Sequence, residues 1–181
     1  DVSECIISSK NNDIIIDFTR RRIDNLLNDM ETLIPMLAGR KIKALNFKGN
    51  EIYDNDLKYI IESVKFLLKN NINQSDGLTI ILSHTRIKKN IEAIQELLTN
   101  VRFIDISLTE MKDLNLSWTE NELQRLIFVP SFGKRKYFFT KYIHNESLHH
   151  ISDAAHQVYY TNLSSEHYTV YGKLHEIAIN H

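Results

Sequence analysis

The chain has 181 residues, and one domain of that size buries roughly 70% of the surface its unfolded form exposes, so no disulfide or metal staple is required. Its 22 Lys and Arg nearly cancel 23 Asp and Glu, which excludes a global field steering it toward nucleic acid or anionic lipid. Cys5 is the single cysteine, which excludes an internal disulfide and fits a reducing compartment.

The first ten residues carry no basic stretch followed by a long apolar one, and no later run approaches the roughly 18 apolar residues of a membrane span. A soluble intracellular protein is expected, cytoplasmic by default, with secretion into a host cell as the alternative.

In chain order, four apolar alternations then share one template: apolar, any, apolar, two spacers, a polar or small residue, one spacer, apolar. They are Ile16-Phe18-Arg21-Ile23, Leu45-Phe47-Asn50-Ile52, Ile80-Leu82-Thr85-Ile87 and Ile104-Ile106-Thr109-Met111. Their starts at 16, 45, 80 and 104 are 29, 35 and 24 residues apart. Period two at the head of each unit predicts a strand with two inward side chains.

A helical stripe trails each of the first three. Leu26, Leu27, Met30, Leu33, Ile34 and Leu37 follow the first, and Leu57, Ile60, Ile61, Val64, Leu67 and Leu68 the second. Ile91, Ile94, Leu97 and Leu98 follow the third, all at spacings of three and four. Asp54 or Asn55 is the expected cap of the second helix, and Gly39 and Gly77 stand where a chain leaving a helix needs a permissive residue.

The run Ile42-x-x-Leu45-x-Phe47-x-x-Asn50-x-Ile52 with its long amphipathic helix resembles a leucine-rich repeat of the ribonuclease-inhibitor type, and the resemblance covers about residues 13–111. It implies an α/β solenoid with parallel strands on one side and helices on the other. The polar position after each strand would point inward and pair with backbone groups of the turn. Asn50 fits this best, Thr85 and Thr109 fit in part, and Arg21 departs from the pattern, so the first unit reads as an atypical cap or as misregistered. The alternative is an ordinary βα sheet domain whose alternations coincide, which the uneven steps favour.

Beyond Met111 the template fails. Residues 1–112 are therefore read as an array of about four units and 113–181 as an α-rich C-terminal cap of the same domain. Ser117-x-x-Glu120 or Thr119-x-x-Glu122 offers a capping box for a helix over about 119–127, and a second helix is expected over about 147–160.

Three constellations bear on chemistry. Seven of the eight histidines lie between His144 and His181, and His149, Asp153 and His156 would share one helix face. The stretch lacks a motif with a known ligand count, so no metal and no cofactor is expected. Lys134, Arg135 and Lys136 beside Tyr137, Phe138 and Phe139 read as a turn entering a buried strand, and nucleic-acid binding is not expected. Asp17 and Asp105 would stand about 14 Å apart across three strand spacings, beyond the roughly 5–9.5 Å of paired-carboxylate hydrolases.

The outward residues write out the remaining surface. Asp17, Asn46, Ile81 and Asp105 form one row, Thr19, Lys48, Ser83 and Ser107 the next, and Arg20, Gly49, His84 and Leu108 the last. By the resemblance this concave side binds a protein partner, and the expected contact residues are these without Gly49. The reading from another class is an enzyme or a ligand- or metal-binding domain whose site lies in the histidine- and aromatic-rich C-terminal region.

Overall fold

The computed structural model describes residues 1–8, 14–74, 77–111 and 119–127. The elements, in chain order, are β1 (Ile6–Ser8), β2 (Ile14–Asp17), α1 (Leu26–Met36), β3 (Ile42–Asn46), α2 (Leu57–Asn70) and β4 (Thr79–Ile81). They continue with α3 (Ile91–Leu98), β5 (Phe103–Asp105), α4 (Glu120–Arg125) and β6 (Leu126–Ile127).

The six strands form one open sheet in sequence order. β1 pairs antiparallel with β2, and every later pairing is parallel. The four predicted strands are neighbours in the predicted order, and the register aligns their templates residue for residue. Ile16 lies beside Leu45, Leu45 beside Ile80, Ile80 beside Ile104 and Ile104 beside Leu126. One extra residue, Lys43, bulges from β3 between the Ile14–Ile42 and Ile15–Ala44 pairs.

Alternation divides the sheet into two faces. Ile14, Ile16, Leu45, Ile80 and Ile104 share one core with Leu26, Met30 and Leu33 of α1, Leu57, Ile60, Val64 and Leu67 of α2, and Ile94 and Leu97 of α3. Ile15, Ala44 and Ile81 form a separate buried cluster to which no described helix contributes. The three helices therefore line one face. Successive helices also touch, α1 with α2 and α2 with α3.

Each unit leaves its strand through the same turn. The Phe18, Phe47, Leu82 and Ile106 N–H groups donate to Asn46, Ile81, Asp105 and Ile127 carbonyls at 2.8–2.9 Å, carrying the ladder one residue past each strand. Gly49, His84 and Leu108 occupy the same template position and all have left-handed backbone, with φ of 72°, 59° and 57°. A glycine meets that demand without strain; His84 and Leu108 meet it at a cost.

The inward polar position behaves as expected. Asn50 Nδ2 donates to the Phe18 and Arg21 carbonyls at 2.8 Å each, tying the second unit to the turn of the first. Thr85 and Thr109 hydroxyls instead close their own turns on the Leu82 and Ile106 carbonyls, at 2.7 and 2.8 Å. Arg21 is correctly registered, since its N–H donates to Phe18 O just as that of Asn50 donates to Phe47 O. Its guanidinium is accommodated by a two-armed pair with the buried Asp29, at 2.6 and 3.0 Å.

Three expectations need correction. Asp54 does not cap α2: Asp56 accepts from the Tyr53 N–H at 2.8 Å, while the Asp54 carboxylate accepts from the Lys88, Lys89 and Asn90 N–H groups of the next unit. Those three amides belong to a turn with no ladder partner, which makes an acceptor more valuable there than at the cap. The helix expected over 119–127 has its Thr119–Glu122 capping box, but it ends at Arg125, and Leu126 and Ile127 become the strand that extends β5. The sequence pattern marks no element before the first template, yet a 3-10 turn at Val2–Cys5 and β1 cover the outer edge of β2. The second C-terminal helix expected over 147–160 lies outside the described residues.

Candidate functional site

The predicted outer row is a row in the structure. Asp17 pairs with Asn46, Asn46 with Ile81 and Ile81 with Asp105. The carboxylates at its ends serve their own turns. Asp17 Oδ1 accepts from the Thr19 N–H at 3.0 Å and from the Thr19 hydroxyl at 2.7 Å. Asp105 Oδ1 accepts from the Ser107 N–H at 2.9 Å, and between them Asn46 Oδ1 accepts from the Lys48 N–H at 3.0 Å. An Asp or Asn two residues before the amide it caps thus recurs in three of the four units.

Burial splits the predicted contact residues into two groups. Asn46, Ile81, Ser83, Asp105 and Ser107 are buried. Arg20 and His84 are exposed, and Asp17, Thr19, Lys48 and Leu108 are half-buried. The accessible part of the surface is therefore the rim at the C-terminal ends of the strands rather than the middle of the sheet. Arg20 and His84 stand at one template position, and Lys48 immediately precedes Gly49 at that position, so three basic side chains recur along consecutive units.

Beside the first unit the rim opens into a groove of about 570 Å³, lined among others by Thr19, Arg20, Arg22, Asn50, Glu51 and Tyr59. Its charges largely offset one another. Arg22 pairs with Asp24 at 2.8 Å, Arg21 is committed to Asp29, and Glu51 and Asp56 line the same groove as Arg20. Tyr59, Arg22 and Glu51 were not singled out in the sequence; the run Arg20-Arg21-Arg22 was the available signal. Nearby, burial pushes the Cys5 thiol above its ordinary range, with the Arg21 charge opposing, so Cys5 is a poor nucleophile at neutral pH.

Among the described residues, no group of three or more His, Cys, Asp or Glu is placed to hold a metal ion, and no helix is long and apolar enough to cross a membrane. His149, Asp153 and His156, the Lys134–Lys136 run and the aromatic run after it lie outside those residues. Comparison with protein-family models, curated proteins and solved structures returns no match.

Proposed function

We propose that the chain is a protein-interaction module built as a short solenoid of the leucine-rich-repeat type, and that it binds a protein partner along the rim where its strands end. Sequential parallel strands, helices on one face and a turn that recurs unit after unit support the architecture. The observation that carries the binding reading is that Arg20 and His84 stand at one template position of their turns, with Lys48 one residue before that position on the turn between them. A partner reading that edge would meet the Arg20 and Lys48 side chains and the His84 imidazole beside a shallow groove, a geometry suited to an acidic protein surface. Catalysis is not part of this reading, because the Asp17 and Asp105 carboxylates are engaged by their own turns. The step from fold to function is by analogy.

Replacing Arg20→Glu, Lys48→Glu and His84→Asp together tests it, with Asp chosen because it tolerates the left-handed backbone at 84. Surface substitutions usually shift stability by about 0.5 kcal/mol or less each, so melting should change little. Capture of the partner from source or host cells should fall about tenfold or more, since mismatched interface charges can cost several kcal/mol. Reversal of the exposed helix residues Lys58, Glu62 and Lys65 is the matched control. Loss of capture with the helix set and not with the rim set would place binding on the helical side.

A further inference from the structure

The opposite end of the sheet, where the strands begin, differs in charge. The chain enters β3, β4 and β5 there through residues 35–43, 66–79 and 99–104. Their described residues include Arg40, Lys41, Lys43, Lys69 and Arg102 and no Asp or Glu. Asp76, outside the described residues, is the one acid that the sequence adds. Arg40, Lys69 and Arg102 are exposed, and none of the three forms an ion pair among the described residues. The rim at the other end instead interleaves Arg20 and Arg22 with Asp24, Glu51 and Asp56. In a chain whose charges nearly cancel, a cationic end makes a local field with a direction.

From this end projects one isoleucine. The Gln74 N–H donates to the Asn71 carbonyl at 2.9 Å, closing a turn with Ile72 and Asn73 at its centre. Such positions favour Gly, Asn, Asp, Ser and Pro, yet Ile72 stands there 91% exposed. The turn is fastened to the exit of α1. Asn71 Nδ2 donates to the Arg40 carbonyl at 2.9 Å, Asn73 Nδ2 donates to the Gly39 carbonyl, and Gln74 holds both backbone groups of Ile42. Ile72 Cγ2 stands 4.0 Å from where a Cβ on Gly39 would be, and Lys41 Nζ stands 3.2 Å from where one on Gly77 would be. The isoleucine is thus held beside the basic stretch that leads into β3. Met36, in the last turn of α1 shortly before Gly39, is 46% exposed.

A lone exposed isoleucine is ordinary on a protein surface. One locked at the tip of a cationic end is placed to enter an apolar medium behind an anionic surface. We propose that this end docks on an anionic lipid bilayer. Ile72 and Met36 enter the boundary between headgroups and acyl chains, while Arg40, Lys69 and Arg102 meet lipid phosphates. A bilayer yields around a protruding tip of any shape, whereas a protein would need a matching socket. A small apolar insertion combined with a few charges gives weak, reversible binding that falls as salt screens the charges. Docked in this way, the chain turns the rim at the strand ends away from the membrane, so both surfaces can be occupied together.

Vesicle co-sedimentation of the full chain tests this. Binding to phosphatidylcholine vesicles that contain phosphatidylserine should exceed binding to phosphatidylcholine alone by about tenfold or more, and raised salt should remove the difference. Ile72→Asn should weaken that binding about tenfold while leaving the melting temperature unchanged, and Arg40→Glu with Arg102→Glu should abolish it. In a Cys5→Ser background, an environment-sensitive dye on Ile72→Cys should shift to the blue when the anionic vesicles are added. The same dye on Lys58→Cys, at an exposed position of α2, should not. Equal binding to both vesicle types, or binding to neither, would overturn the proposal. Charge-dependent binding that survives Ile72→Asn and gives no dye shift would be adsorption without insertion, and would overturn it too. A dye response to polyglutamate and not to vesicles would assign the surface to an acidic protein instead.

Discussion

Phe47→Ala should cost about 3–5 kcal/mol, the usual range for removing a buried aromatic ring. Phe47 is fully buried and its ring stacks on that of Phe18, with centroids 5.3 Å apart and planes inclined by 15°. The two rings occupy the same template position in adjoining units, so the substitution removes both core volume and the packing between units. Phe47→Leu keeps most of the volume and should lose considerably less. Chemical denaturation of the two variants checks this. Equal and small losses would mean that the rings do not carry the contact between the first two units.

Gln74→Leu should be nearly as damaging, at about 2–5 kcal/mol, because it strands two buried backbone groups at about 1–3 kcal/mol each. The Gln74 amide oxygen accepts from the Ile42 N–H at 2.7 Å, and its nitrogen donates to the Ile42 carbonyl at 2.9 Å. Ile42 begins β3 before β4 comes alongside, since the first β3–β4 pair is Ala44 with Thr79. The side chain of Gln74 thus stands in for a missing strand residue. Gln74→Glu retains the acceptor but sets a second carboxylate oxygen against the Ile42 carbonyl in a buried site, so at neutral pH it should lose at least as much as Leu. A Leu variant as stable as wild type would show that water satisfies Ile42 equally well.

These two residues also mark what the sequence reveals. Phe47 was legible because apolar alternation has the period of a strand and recurs with a fixed offset to a polar residue. Asn50 was legible for the same reason, since a lone polar group after such a strand has few uses besides closing a turn. Gln74 was not legible: its partner lies 32 residues away, and nothing local distinguishes it from other polar residues in the loop after α2. Asp54 was misassigned for a related reason, because proximity to a helix start suggested a cap while the amides it serves belong to the following unit.

Short elements escaped as well. Leu123, Leu126 and Ile127 satisfy helical spacing, and a two-residue strand offers no period to set against it. The positions of the candidate site residues along the chain were legible, and the register puts them in the expected rows. Their accessibility was not legible, because alternation tells which face a side chain occupies and not whether that face is covered. Ile81 and Asp105 are buried for that reason, while Arg20 and His84, carried past the strands by the turns, are exposed.

Everything proposed for the rim depends on the units being stacked in register, and pairwise disulfide trapping in a Cys5→Ser background measures that directly. Cysteines at Asp17 and Asn46, at Asn46 and Ile81, or at Ile81 and Asp105 would stand one strand spacing apart, about 4.8 Å, within the range a disulfide bridges. A pair displaced by two residues, such as Asp17→Cys with Lys48→Cys, would be about 8 Å apart and outside it. All three in-register pairs should oxidise to single-chain products, and the displaced pair should not. Preferential oxidation of the displaced pair, or failure of any in-register pair in a folded variant, would contradict the stacking and with it the continuous row at the strand ends.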